Sequence, residues 1–161
     1  MVSVSLCMIV KNEEEVLGRC LDSVAGFPDE ILVADTGSTD GTKAAAMERG
    51  ARVFDFPWRD DFAAARNFSF SQGRGTYLFW MDADDVVRPD QRRKLLDLKE
   101  RLGRADCLPD VVMMKYAAAF RRDGSLAAAF YRGAADPQRD WGRMEGPGPR
   151  NSEALWYYRK E

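Results

Sequence analysis

Along the first hundred residues, the apolar positions switch repeatedly between the spacing of a buried strand and that of a helix. Residues 2–10 begin as an alternation and end as a continuous apolar run, the mark of a parallel strand covered on both faces. Val16, Leu17, Cys20, Leu21 and Val24 then recur at helical spacing. Asn12 is the expected N-cap, Glu15 completes a capping box, and Gly26 and Pro28 supply the stop. The same alternation continues. Residues 30–34 read as a strand ending at Asp35, 36–42 as a tight turn, and 44–49 as a helix closed by Gly50. A third strand is expected at 52–56, a helix at 62–72 and a fourth strand at 76–81. Pro89 then opens a charged helix whose Leu95, Leu96, Leu98 and Leu102 form a core stripe.

Strands alternating with helices over short connections predict an α/β fold, a mostly parallel sheet with helices on both faces. After Pro109 the pattern changes. Two strand-like runs, 111–120 and 126–132, flank Asp123-Gly124, a strong hairpin signal. Residues 133–153 are rich in Gly, Pro and Arg without periodicity, and 155–158 form a last aromatic strand candidate. The domain reading is a main body over 1–132, with 133–161 an irregular segment of the same domain.

With 161 residues, 45% of them hydrophobic, the chain can bury one core of useful size. Its 24 basic and 26 acidic residues give no electrostatic reason to expect a nucleic acid or an anionic membrane as partner. Cys7, Cys20 and Cys107 read as reduced, mostly buried thiols of a cytoplasmic protein. The apolar start is too short to span a membrane. It runs straight into Lys11-Asn12-Glu13-Glu14-Glu15, so no signal peptide or transmembrane segment is expected. The chain contains no histidine, which excludes imidazole bases, Ser-His-Asp systems and His-ligated zinc. Acid–base and metal chemistry must come from carboxylates.

In an open α/β sheet, ligands bind beyond the carboxyl ends of the strands. Three strands deliver polar groups there: Lys11 and Asn12, then Asp35, then Asp82, Asp84 and Asp85. Three carboxylates in four residues repel one another unless a cation neutralises them, and hard divalent cations prefer oxygen ligands. The competing reading is a solvated turn that ends a strand. Asp35 and the following Thr-Gly-Ser-Thr-Asp-Gly-Thr likewise fit either a helix cap by Asp40 or Thr39 or an anion-facing loop; a capping turn can do both. Arg66 and Asn67 follow three alanines on a helix that can approach closely, and Arg66 fits either a phosphate or a surface ion pair. Phe54, Trp58, Phe79 and Trp80 read as core or core-edge aromatics.

In this order, the segments SLCMIVKNEE (5–14), RCLDSV (19–24), ADTGSTDGT (34–42), DDFAAARN (60–67) and FWMDADD (79–85) resemble the family 2 glycosyltransferases. The resemblance implies the GT-A fold, a Rossmann-like sheet with a β-hairpin region toward the C-terminus. It also implies a nucleotide-diphosphate sugar donor (a UDP-sugar), a divalent Mn²⁺ or Mg²⁺, and transfer with inversion to an acceptor that is a glycan, lipid or protein. Residues 1–132 become the nucleotide-sugar-binding domain. By position Asp35 contacts the base or ribose, and Val10, Lys11 and Asn12 line the base pocket largely through backbone atoms. Arg66 and Asn67 lie near the donor, Asp82 and Asp84 form the D-x-D, and Asp84 and Asp85 face the metal.

Two departures from that pattern stand out. Thr36 occupies a position where many relatives carry a second acid. Between Gly133 and Glu153 the aromatic-Glu-Gly and Val-His-Glu segments of relatives are missing, as after a reading-frame slip or heavy divergence, and Glu145 is the candidate catalytic base there. A nucleotide-sugar-binding module without turnover is the alternative reading. Asp82-Ala-Asp-Asp-Val86 also fits the D-x-D-x-[TV] of haloacid-dehalogenase-like phosphatases, but that motif ends a first strand, and here three strands are expected before it.

Overall fold

The computed structural model describes residues 2–114, 119–122, 125–128 and 155–159. The chain divides into two compact units, residues 1–112 with 156–161, and residues 113–155.

In the first unit the elements run β1 (Val4–Val10), α1 (Glu14–Ser23), β2 (Glu30–Asp35), α2 (Thr42–Met47), β3 (Arg52–Asp55), α3 (Phe62–Ser71), β4 (Tyr77–Trp80) and α4 (Pro89–Gly103). Strands β3, β2, β1 and β4 lie side by side in that order and are all parallel. The order reverses between β1 and β4, which creates the crevice where such sheets take ligands. The register brings Val10 level with Asp35, and Asp35 level with Asp55, so three strand ends share one edge. The α/β fold with helices on both faces is as the sequence predicts.

Alternation along the strands sorts the core into two layers. Cys7, Leu32 and Leu78 pack with Phe54 and Phe70, and Ala34 with Phe56, Ala65, Ile9 and Phe68, so one face is covered by α3. On the other face Phe79 meets Phe27 edge-on at 5.6 Å, and Leu98 and Leu102 of α4 approach Val4 and Tyr77. The four-leucine stripe expected on α4 is narrower than its spacing suggests. Leu95 is buried and Leu98 and Leu102 half-buried, but Leu96 is 40% exposed. The helix is covered along only part of its apolar stripe.

The last strand, β8 (Leu155–Arg159), runs antiparallel beside β4, with Tyr77 opposite Arg159 and Leu78 opposite Tyr158. Beyond it in the sheet lies β5 (Val111–Met114). In the second unit β6 (Ala119–Arg122) and β7 (Ser125–Ala128) pair antiparallel with Arg122 opposite Ser125, while the expected turn at Asp123-Gly124 lies outside the described residues. The expected strand at 111–120 is therefore divided: its start joins the large sheet and its end joins the β6–β7 pair. The strand candidate near Leu155 lies in the sheet. Glu145 and the divergent stretch 133–153 lie outside the described residues.

Candidate functional site

Asp35, the last residue of β2, is 1% exposed. Its Oδ1 accepts the backbone N–H groups of Gly37 (3.0 Å) and Ser38 (2.9 Å), which folds the chain into the turn leaving the strand. Its Oδ2 is buried and has no hydrogen-bond partner among the described residues. A buried carboxylate oxygen left without a donor is costly, and a water or a ligand N–H that reaches it would remove that cost. Lys43 of α2 lies 3.9 Å from Oδ1 and 2.5 Å from Asp55 at the end of β3. Thr36, at the second-acid position, donates both its N–H (2.9 Å) and its hydroxyl (3.0 Å) to the carbonyl of Val10. That hydroxyl completes the end of β1, which a carboxylate could not do. The Val10 carbonyl is thus already occupied within the fold.

Asn12 is not the N-cap of α1; Glu13 holds that position, with no side-chain cap bond. Asn12 instead adopts a left-handed conformation (φ 55°), which Asn tolerates better than most residues. Its N–H donates to Ser38 Oγ (2.8 Å) and its side-chain carbonyl accepts from Thr39 N–H (2.8 Å). The unsatisfied N–H groups opening α1 are met from the same loop. Glu13 donates to Thr42 Oγ1 (2.8 Å) and Glu14 to Asp40 Oδ2 (3.2 Å), while Glu14 Oε2 accepts Gly41 N–H (2.8 Å). Neither Asp40 nor Thr39 is the N-cap of α2, a position that Gly41 holds without a side-chain cap bond. Asp40, one residue earlier, accepts Thr42 N–H (3.0 Å), and the Thr42 hydroxyl, first among its donors, holds its carboxyl below the usual range. The loop of Asp35 and the start of α1 are one interlocked piece. Lys11, just beyond β1, is exposed.

After β4 the chain makes a closed acidic turn. Asp85 N–H donates to the carbonyl of Asp82 (3.1 Å), and Asp85 Oδ2 accepts Asp82 N–H (3.0 Å). Ala83 points inward and is buried, leaving the side chains of Asp82 and Asp84 exposed. Across from them Asp61 caps α3 by accepting Ala64 N–H (2.9 Å), and the helix carries Arg66 to 3.6 Å from Asp82 Oδ1. The same guanidinium stacks on Trp80, 4.3 Å from the ring centroid. Asn67 is exposed on α3. Trp58 and Trp80 are half-buried and Phe79 is fully buried, as core-edge and core aromatics.

Glu13 belongs to this edge too, and its spacing in an acidic run gave no sign of it. Burial, then the charges of Asp84, Asp40 and Asp82, push its carboxyl above the ordinary value. Cys20 beneath the turn is pushed up to about 12 by burial and by Asp85, Asp84 and Asp82. Asn12, Glu13, Glu14, Glu15, Val16 and Asp40 line a groove of about 340 Å³. Among the described residues, no three carboxylates or thiols are placed to hold a metal ion by themselves. The donor set nevertheless suits a hard cation that takes one or two carboxylates from the protein and its remaining ligands from a diphosphate and water. Cys7 and Cys20 are buried and Cys107 is exposed, all three as free thiols.

A parallel sheet flanked by helices, with carboxylates gathered beyond its order reversal, defines an α/β protein with an acidic ligand edge. The chain belongs to glycosyl transferase family 2, whose sequence model matches residues 5–157. The match runs past Arg132, the end of the nucleotide-sugar-binding domain expected from the sequence. A TPR repeat-containing protein of Synechococcus elongatus is 44% identical over 106 residues, covering 64% of this chain and 26% of that protein. The lipopolysaccharide core biosynthesis glycosyltransferase LpsC of Rhizobium meliloti is 34% identical over 99 residues, covering 58% and 36% respectively. Among solved structures, TarS of S. aureus is similar with a TM-score of 0.55 at 20% identity, over 68% of this chain and 34% of that one, a likeness of fold. The chain thus spans about a quarter to a third of the length of these relatives. Among the described residues, no helix is long and apolar enough to cross a membrane.

Proposed function

We propose that this chain binds a nucleotide-diphosphate sugar at the edge formed by Asp35, Glu13, Arg66 and the Asp82–Asp85 turn, and transfers the sugar to an acceptor hydroxyl. The observation that carries the reading is the buried Oδ2 of Asp35, which lacks a donor within the described fold. A nucleobase whose edge offers a ring N–H, such as uracil or guanine, supplies that donor, whereas cytosine could supply only its exocyclic amine, beside an unprotonated ring nitrogen that a carboxylate repels. We take uracil, hence a UDP-sugar, as the leading donor. Val10, Lys11 and Asn12 line the base pocket; Asp82 and Asp84 face the ribose and diphosphate.

Asp84, exposed at the tip of the turn, and Asp85 beside it would hold Mn²⁺ or Mg²⁺. Such an ion supplies charge neutralisation for the departing nucleoside diphosphate. Arg66 adds a fixed, planar cation to the same leaving group, and Asn67 lies beside it on α3. Displacement at the anomeric carbon in one step inverts its configuration: the acceptor oxygen bonds to that carbon as the bond to the diphosphate oxygen breaks. A carboxylate base takes the acceptor proton. Glu145 is the candidate for that base, and a glycan, lipid or protein hydroxyl the candidate acceptor. The buried free thiols of Cys7 and Cys20 favour a reducing, cytoplasmic setting.

Incubation of the full chain with labelled UDP-sugars, Mn²⁺ and a panel of acceptors tests this reading. Release of UDP with sugar transfer or donor hydrolysis, abolished in Asp84→Asn, supports it. Metal-dependent UDP binding with neither reaction makes the chain a nucleotide-sugar-binding module. No interaction with any nucleotide sugar refutes both.

A further inference from the structure

The acidic turn is fastened to the rest of the fold from behind, by side chains of α1 that no part of the proposed chemistry uses. Ser23, the last residue of α1, accepts the backbone N–H of Val87 on its hydroxyl oxygen (3.0 Å) and donates that hydroxyl to the carbonyl of Cys20 (2.6 Å). The thiol of Cys20, fully buried, donates to the carbonyl of Asp82 at 3.4 Å. One tie thus meets the segment at its first residue, Asp82, and the other at Val87. Between them the turn closes on itself through the Asp82–Asp85 bonds.

The chemistry explains why serine and cysteine stand here. A helix end leaves its last carbonyls without partners, and a serine hydroxyl can satisfy one at i−3 while keeping lone pairs to accept a further N–H. Alanine at 23 would strand both the Val87 N–H and the Cys20 carbonyl in a half-buried site. The opposite end of α1 is fixed to the Asp35 loop through Asn12, Glu13 and Glu14. The helix is therefore a strut: one end grips the loop that carries Asp35, the other grips the turn that carries Asp82 and Asp84.

We infer that Ser23, assisted by Cys20, is a positioning residue that sets the place of the Asp82–Asp84 carboxylates relative to Asp35, and so the coupling between divalent-metal binding and nucleotide binding. This rests on the donor-site reading above. Neither side chain touches substrate. Loss of the tie leaves the Asp35 end intact and loosens the metal-facing end alone.

The test compares Ser23→Ala, Ser23→Thr and Cys20→Val with the wild-type chain, in full length, by calorimetric titration. Uridine reports the base end, and the ratio of UDP affinity with Mn²⁺ to that with EDTA reports the coupling. Ser23→Ala is expected to lower that ratio about fivefold, the worth of one lost hydrogen bond, with uridine affinity unchanged. Ser23→Thr, which keeps the hydroxyl, restores most of the ratio. Cys20→Val keeps an apolar side chain of similar size and lowers the ratio in the same direction by a smaller factor. If Ser23→Ala does not fold, Cys20→Val alone decides. An unchanged ratio in the folded variants overturns the proposal, as does a parallel loss of uridine binding, which is the sign of a merely structural role. A wild-type chain whose UDP affinity ignores Mn²⁺ overturns the donor-site reading itself, and this inference with it.

Discussion

The guanidinium of Arg66 lies 3.6 Å from the carboxylate of Asp82 while stacked on the face of Trp80. A helix on one side of the sheet thereby places a planar cation against the acidic turn that follows β4. A bound diphosphate would compete with Asp82 for this cation, and the stacking on Trp80 keeps it in place during the exchange. Arg66→Ala is expected to weaken UDP binding roughly 10- to 100-fold, the worth of hydrogen bonds to a charged group. Arg66→Lys should recover only part of this, because an ammonium neither forks nor stacks as a guanidinium does. Titration calorimetry on both variants checks the order; equal affinities in the wild type and both variants would contradict it.

Asp35 separates its two oxygens by task, one for the turn and one for the ligand. Asp35→Asn keeps a carbonyl for the N–H groups of Gly37 and Ser38 but turns an amide N–H₂ toward the ligand. The melting temperature should change little, while UDP affinity falls by about tenfold or more and CDP gains relative to UDP. A variant that keeps the preference of the wild type would remove Asp35 from base recognition.

Asn12 combines a left-handed backbone with a side-chain bond to Thr39. Asn12→Ala should cost about 1–2 kcal/mol for the conformation and about 1 kcal/mol for the hydrogen bond. Asn12→Gly relieves the first cost and keeps the second. Thermal unfolding should therefore rank wild type above Gly above Ala. An alanine variant as stable as the glycine one would show that the left-handed conformation costs nothing here.

The strands were legible from the sequence because each is a local pattern. The apolar runs of β1, β2 and β4 and the polar residue that ends each one lie within a few positions of one another. What escaped depends on partners far along the chain. Asn12 looked like a helix cap because nothing nearby reveals that Ser38 and Thr39 will hold it. Glu13 looked like one more acid in a charged run because its neighbours Asp84 and Asp40 arrive from other strands. Leu96 fits a helical stripe, and only the placement of α4 leaves it in solvent. The insertion of Leu155–Arg159 beside β4 joins segments some eighty residues apart, which no local periodicity encodes.

At the opposite edge of the sheet, Glu30 accepts hydrogen bonds from Ser5 Oγ (2.6 Å) and Arg74 N–H (2.6 Å), with Arg52 at 3.3 Å. Burial by itself would raise its carboxyl, but the Ser5 hydroxyl, the Arg74 N–H and the charges of Arg52 and Arg74 bring it below the ordinary value of 4.5. A carboxyl lowered on folding stabilises the fold above its unfolded pKa, and that contribution disappears as pH falls through the folded value. Stability should thus drop below about pH 4.5, more steeply than in Glu30→Gln, which starts lower at pH 7. Denaturant titrations across pH 3–7 check this; parallel curves for the two proteins would contradict it.

The central claim is that the acidic turn and Asp35 together form a metal-assisted nucleotide-sugar site. Calorimetric titration of the full chain with UDP and GDP and their sugars, with and without Mn²⁺, tests it most directly. Binding of at least one ligand that strengthens with Mn²⁺, and loses that gain in Asp84→Asn, is the predicted result. Binding indifferent to the metal, or no binding by any of these ligands, would contradict it.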